Sequence, residues 1–147
     1  MSTEDNKAAT VRRAIEEGWN QGNVAVFDEL CAPNWVYHEP GSPDVRTLAD
    51  YKRFATETRR DFPDLHLTIE DLVAEGDKVV MRGTFGGTNT GDIVAPMPIP
   101  ATGKPITMTT ISIVRFAGGK AVEVWTQGDS LGVLQQLGVV PMPGQAS

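Results

Sequence analysis

Apolar residues recur with a helical period in the first part of the chain. Val11, Ile15 and Trp19 follow one another at four-residue intervals, so they share one stripe of an amphipathic helix. Ser2 and Asp5 stand at the spacing of a capping box ahead of this stripe. The pattern therefore predicts a helix at the N-terminal end of the chain.

Three more helical patterns follow. The first has its apolar residues between positions 26 and 31. The second begins at a capping Thr47 and stops at Pro63. The last is a short helix near the C-terminal end, capped by Asp129 or Ser130.

Elsewhere, and throughout the second half of the chain, apolar and polar residues alternate as in strands. Leu65, Leu67 and Ile69 show the period of a strand with one buried face. The Gly118-Gly119 pair suits a tight hairpin between two such runs. The predicted strands cover residues 34–39, 65–69, 79–86, 106–116 and 121–127. Between the strands predicted at 79–86 and 106–116, the segment 92–105 has prolines at 96, 98, 100 and 105, which predicts a stiff loop.

The order of these elements indicates the fold class. Helices come mainly before the strands, which is typical of an α+β protein rather than a parallel α/β sheet. The length of 147 residues, with 40% hydrophobic and 22% charged residues, suits one globular domain. We predict a single α+β domain over residues 1–147, in which a curved, mostly antiparallel sheet wraps around the N-terminal helices. The open end of such a cone is an apolar pocket.

Charge and cysteine content exclude several classes of partner. Thirteen basic and nineteen acidic residues leave a net charge of −6, and acidic neighbours offset the basic cluster at 52–60. We therefore expect no nucleic-acid partner. No apolar run approaches the ~18 residues of a membrane span, so we expect no membrane partner. Cys31 is the only cysteine and the N-terminus is polar, so we expect a cytoplasmic protein.

The candidate chemistry is that of carboxylate and imidazole groups. His38 and His66 lie far apart in sequence and no metal-ligand spacing occurs, so we expect no metal. Cys31 lies on an apolar helical stripe, where a structural thiol is the simpler interpretation. Asp129 follows a strand and could act as a base at its end, although its position also suits a helix N-cap. His38 ends another strand and could equally be a surface histidine.

Six sequence motifs, taken in order, resemble one family. They are GWNQGN at 18–23, VYHEP at 36–40, FPD at 62–64, EGDKVVMRGT at 75–84, GTNTG at 87–91, and the run from EVW at 123–125 through Asp129 to QLG at 136–138. Over roughly residues 8–141 the chain is similar to the SnoaL-like polyketide cyclases, also called ester cyclases, of the NTF2-like superfamily.

The resemblance implies a cone-shaped α+β fold with a deep apolar pocket. It also implies intramolecular aldol condensation of a hydrophobic carbonyl substrate without metal or cofactor. By this resemblance, Asp129 matches the family's aspartate that acts as general acid/base, and His38 matches a histidine of the pocket. We expect the substrate to contact a further set of residues, several of which also suit a core: Trp19, Tyr51, Arg82, Asn89, Met108, Trp125 and Gln127. The resemblance further implies a homodimer formed sheet to sheet.

One departure from the family pattern affects the reaction. The family usually has histidine where this chain has Asn89, which can hydrogen-bond an oxygen but cannot titrate. Two alternatives therefore stay open beside aldol cyclisation. Epoxide hydrolysis or isomerisation would need Arg82, Asn89 and Asp129 to face inward together. A non-catalytic binding module would have the same apolar pocket, with Asp129 pointing outward as a cap.

Overall fold

The computed structural model describes residues 2–93, 98–141 and 144. Four α-helices and five strands occupy them, and a π-helical turn, Ala14–Asn20, continues the first helix. The helices are α1 (Thr3–Arg13), α2 (Val26–Leu30), α3 (Leu48–Asp61) and α4 (Ser130–Gln136). The strands are β1 (Cys31–His38), β2 (His66–Glu75), β3 (Lys78–Thr88), β4 (Pro105–Ala117) and β5 (Lys120–Gly128).

One five-stranded sheet organises the domain, in the order β1-β5-β4-β3-β2. Strands β2 to β5 pair antiparallel, as expected for consecutive hairpins, whereas β1 pairs parallel to β5 at one edge. The α+β class and the mostly antiparallel sheet predicted from sequence are confirmed.

The helices cover one face of this curved sheet. Alternate residues of β4, such as Ile106, Val114 and Phe116, are buried on that inner face. They belong to one continuous core with residues of α1 and the π-helical turn, including Val11, Ile15 and Trp19. The amphipathic stripe read from sequence is therefore the surface that packs on the sheet.

Local sequence determines where two helices begin. Ser2 and Asp5 form a reciprocal capping box at α1, and Thr47 and Asp50 form another at α3. The second half of the first predicted helix differs from a regular α-helix, since it widens into a π-helical turn. Among the described residues, no helix is both long and apolar enough to cross a membrane.

Candidate functional site

A cavity of about 230 Å³ lies between the inner face of the sheet and the helices. Its wall is largely aromatic and aliphatic, with contributions from Ile15, Trp19, Tyr51, Phe54, Phe62, Leu67, Met81, Phe85, Ile93, Ile106, Met108 and Val133. Such a lining excludes water and favours an apolar ligand.

Three of the predicted ligand contacts line this cavity: Trp19, Tyr51 and Met108. The indole Nε1 of Trp19 donates to the Tyr51 hydroxyl across 2.8 Å, and the two rings meet edge to face. Because the Tyr51 oxygen accepts this bond, its own proton is available to a further acceptor. No acceptor for that proton lies within hydrogen-bond distance among the described residues.

Trp125 and Gln127 lie on the opposite, outer face of the sheet. Along β5 the side chains alternate, so that Val124 and Thr126 are buried while Trp125 is 37% exposed. His38 is also on the outer face, stacked on Trp125 with 5.5 Å between ring centroids. Its Nε2 lies 2.8 Å from the Glu123 carboxylate. His38, Trp125 and Gln127 do not line the described cavity, because the strand alternation points them to the outer face. Their roles in a site stay predictions.

Asp129 follows β5 with the same outward parity as Gln127. It is exposed, and its carboxylate accepts the backbone N–H of Gly132 at 2.9 Å as the N-cap of α4. It does not border the cavity in the part of the chain that the structure describes. Its catalytic role therefore stays a prediction, and its observed contact is that of a helix cap.

Arg82 and Asn89 are separated from each other and from Asp129. Arg82 lies on the outer face, where its Nε is 2.7 Å from Asp71. Asn89 is fully buried, but its side chain serves the loop after β3: it donates to the Gly91 carbonyl and accepts from both the N–H and the hydroxyl of Thr102. The three groups invoked for epoxide opening do not meet.

The proline-rich loop is fastened at its two ends near the cavity. Asn89 exchanges backbone hydrogen bonds with Gly103 and Lys104, and Ile93 pairs with Ile99. Ile93 contributes to the cavity wall. Pro96, the first of the prolines, lies outside the described residues.

Sequence reasoning missed the main polar groups of the cavity, Tyr37 and Glu39. Both line it, and the Tyr37 hydroxyl donates to a Glu39 carboxylate oxygen across 2.7 Å. Burial raises the pKa of Glu39 above its ordinary value, although hydrogen bonds from Tyr37 and Ser42 oppose the rise. Burial likewise raises the pKa of Tyr37. The signal was present in β1, because Trp35, Tyr37 and Glu39 share one parity.

Two hydroxyls continue this polar strip across the inner face of the sheet. The side-chain oxygens of Ser112 and Thr126 lie 2.8 Å apart, and both groups are buried. Burial raises the pKa of the Tyr37 phenol, and the nearby Thr126 side chain has a smaller, opposing effect. The cavity therefore has hydroxyl groups on its sheet wall, and α3 contributes the charged residues Glu57, Arg60 and Asp61.

A smaller chamber of about 80 Å³ adjoins the cavity on the side of β1 and α2. The two spaces are neighbours because they share five lining residues: Ile15, Tyr51, Met81, Ser112 and Thr126. Trp35 lines the chamber, and its buried Nε1 has no hydrogen-bond partner among the described residues. Cys31 also lines it, and burial raises the pKa of this thiol to about 12, so it remains protonated at neutral pH.

No group of three or more metal-ligating side chains is close enough to hold an ion within the described ranges 2–93, 98–141 and 144. The described cavity therefore offers three carboxylates, one guanidinium, two phenols, an indole and several aliphatic hydroxyls in an otherwise apolar space.

Comparison with known proteins places this architecture in a family. The sequence profile of the SnoaL-like polyketide cyclases matches residues 9–137. A candidate polyketide cyclase from Acidithiobacillus ferrooxidans is 33% identical over 95% of this chain and 99% of that chain, with a TM-score of 0.80. IdmH from Streptomyces antibioticus, also a candidate polyketide cyclase, is 31% identical over 90% of this chain and 98% of its own, with a TM-score of 0.77.

A third solved structure supports the fold alone. The candidate SnoaL-like polyketide cyclase from Jannaschia sp. CCS1 has a TM-score of 0.83 at 23% identity, over 96% of this chain and 97% of that chain. No curated protein sequence matches this chain. The NTF2-like cone predicted from the sequence motifs is confirmed. Since the family profile spans most of the chain and solved relatives align along nearly all of it, the chain belongs to the SnoaL-like polyketide cyclase family.

Proposed function

We propose that this protein binds a small hydrophobic carbonyl compound in the central cavity and closes a ring in it by aldol-type condensation. The observation that carries the proposal is a largely apolar cavity that has polar groups on the sheet, including Tyr37, Glu39 and Thr126, and others on α3. Apolar walls would hold the carbon skeleton, and the polar strip would meet the carbonyl groups. Membership of the SnoaL-like family supports the same class of reaction.

The size of the space favours a compact substrate. The cavity of about 230 Å³ falls below the roughly 300–1,000 Å³ of typical small-molecule sites, and the adjoining chamber adds about 80 Å³. The Tyr51 hydroxyl and the Trp35 indole are hydrogen-bond donors beside this space. Donors placed before reaction stabilise the negative charge that develops on an enolate oxygen.

Binding is tested with prodan, a naphthyl ketone whose fluorescence shifts to shorter wavelength in apolar surroundings. We expect the shift with the unaltered protein and a weakened one with Met108→Trp, which fills the cavity. Thr109→Trp is the matched control, because it adds the same side chain to the next residue on the exposed outer face. Equal binding by both variants would place the ligand outside the cavity and overturn this part of the proposal.

Turnover is tested with heptane-2,6-dione, which closes to 3-methylcyclohex-2-enone by intramolecular aldol condensation and loss of water. We expect the protein to accelerate formation of the enone, followed by its absorbance. Met108→Trp should slow the reaction and Thr109→Trp should not.

A non-catalytic binding module is the second candidate function. It is favoured by one observation, the exposed position of Asp129 as a helix cap. Binding of prodan without acceleration of any diketone cyclisation would support it over the cyclase.

We further propose that two copies pair through the outer face of the sheet. Register places His38, Trp125, Ile113, Val80 and Val73 in one row across all five strands, and its four apolar members are exposed. The flanking rows contain both charge signs, as in Arg115 with Glu123 and Arg82 with Asp71. A second copy related by a two-fold axis would cover the apolar row and offer each charge an opposite partner.

A further inference from the structure

Three carboxylates border the central cavity, and their partners distinguish them. Asp61 lies 3.0 Å from the Arg60 guanidinium, and Glu57 lies 4.0 Å from that of Arg53. Glu39 makes no ion pair within the part of the chain that the structure describes, and it accepts the Tyr37 hydroxyl instead. A carboxylate without a neighbouring cation is the stronger base, because no opposite charge stabilises its ionised form.

The chain holds Glu39 in the wall of the cavity. It directly follows β1 and keeps the inward parity of Tyr37, and its carbonyl accepts the N–H of Ser42 in a tight turn. This turn packs closely on α4, since a Cβ added at Gly41 would lie 2.7 Å from the Ser130 hydroxyl. The carboxylate is therefore positioned by a strand end and a packed turn rather than by a free loop.

We propose that Glu39 is the acid/base residue of this protein, with Tyr37 as the positioning residue that holds its carboxylate. The inference rests on the proposed function. Glu39 would take a proton from the carbon next to a substrate carbonyl, and the C–H electron pair would form the enolate. The enolate carbon would then bond to a second carbonyl carbon of the same molecule. The resulting alkoxide would take the proton back from Glu39, so no electrons are gained or lost and no co-reactant is needed.

The surroundings suit this role. Burial raises the pKa of Glu39 towards working pH, where a carboxylate is a more effective base. The titratable groups that interact with it are Tyr37 from β1 and Tyr51 from α3, and both remain neutral because burial raises the pKa of each phenol. The Tyr37 ring also packs against Trp35 and Tyr51, which helps to fix it.

The test uses 5-nitrobenzisoxazole, an aromatic probe that needs only a base. Removal of its C3 proton breaks the ring N–O bond and releases a coloured cyanophenolate. We expect the unaltered protein to accelerate this opening and Glu39→Gln to lose about 100-fold or more of the rate. The matched control is Glu70→Gln, the same change on an exposed residue of β2, which should retain the rate.

Tyr37→Phe tests the positioning role with a readout that a merely structural residue would not move. The Tyr37 hydrogen bond lowers the pKa of Glu39, so its loss should raise that pKa. The rising limb of the pH–rate profile should therefore move to higher pH. An unmoved profile would contradict the role of Tyr37.

Prodan binding separates failure of this inference from failure of the proposed function. If Glu39→Gln still binds prodan but no longer accelerates the ring opening, the result supports Glu39 as the base. If Glu39→Gln retains the ring opening, the inference is overturned. It is also overturned if the unaltered protein binds prodan but does not accelerate the ring opening. An unaltered protein that does not bind prodan contradicts the proposed function itself.

Discussion

The two faces of the sheet differ in chemistry although the same strands form both. On β5, Thr126 is buried beside the cavity while its neighbour Trp125 is exposed. On β1, Tyr37 faces inward and its neighbour His38 faces outward. Residue types that suggest catalysis therefore stand on the outer face, and ordinary hydroxyls stand on the inner one. A residue's parity along its strand decides its role before its chemical type does.

The two faces differ in the partners of their charged groups. On the outer face Arg82 pairs with Asp71 in contact with solvent, where a pair contributes little to stability, and Glu123 lies beside Arg115 and His38. On the inner face, Glu39 meets a phenol. The inner arrangement leaves a group that can exchange a proton, whereas the outer one forms a surface suited to association.

The largest effect is expected from a charge placed in the apolar row of the outer face. Ile113→Asp would put an unpaired carboxylate in the proposed dimer interface, at a cost of about 3–5 kcal/mol. Dimerisation should weaken by roughly 10²–10³-fold or more. Sedimentation at micromolar protein should then show the 15.9 kDa monomer. Thr109→Asp, on the same face outside the row, is the control that should remain a dimer; a monomeric unaltered protein would disprove the interface.

The next effect concerns the buried amide that fastens the loop beside the inner face. Asn89→Ala removes the side-chain bonds to Gly91 and Thr102 and should cost about 1–3 kcal/mol of unfolding free energy. Urea denaturation measures it, with Thr90→Ala on the adjacent exposed residue as control. If Asn89 instead contacted substrate, ligand affinity would fall while stability stayed the same.

A smaller effect is the pH dependence of stability due to Glu39. Burial raises its pKa above the ordinary 4.5, so the folded protein holds this proton more tightly than the unfolded chain. The resulting stabilisation is complete below that ordinary pKa and is lost as pH rises through the folded-state pKa. Glu39→Gln should therefore gain stability relative to the unaltered protein as pH rises from the ordinary pKa of 4.5 through the raised folded-state pKa. A difference in urea midpoint that does not change with pH would contradict the raised pKa.

The smallest effect is expected from the outer carboxylate that the sequence favoured. Asp129→Asn keeps the helix cap, since asparagine caps about as well as aspartate. The rate of diketone cyclisation should remain within about twofold of that of the unaltered protein. The rate would fall roughly 10²–10⁴-fold if Asp129 were the acid/base group. A large loss in this variant with prodan binding intact would move the catalytic assignment from Glu39 to Asp129.

Local patterns predicted the elements well because each depends on near neighbours. The capping box at Ser2, the helix cap at Thr47 and the hairpin at 118–119 need only a few adjacent residues, and each is found where expected. The π-helical turn at Ala14–Asn20 was not predicted, because an apolar stripe with four-residue spacing suits either helix. The parallel pairing of β1 with β5 joins segments far apart in sequence, which local pattern does not specify.

Three of the residues predicted to contact substrate line the cavity, namely Trp19, Tyr51 and Met108, because each lies on an apolar stripe or on the inner face of a strand. Their contact with a substrate stays a prediction. Asn89 is an exception of another kind: it is buried as a binding residue would be, but its hydrogen bonds fasten the loop.

The sequence by itself determined the family, the α+β class and the helical and strand segments, since these follow from motif order and local periodicity. Only the tertiary structure decided which of the two strand-end carboxylates, Glu39 or Asp129, borders the cavity. Glu39 and Asp129 each follow a strand, and local sequence describes both as strand-end acids. Their surroundings differ because the curved sheet has one covered face and one open face, and the environment of a carboxylate depends on which face it joins.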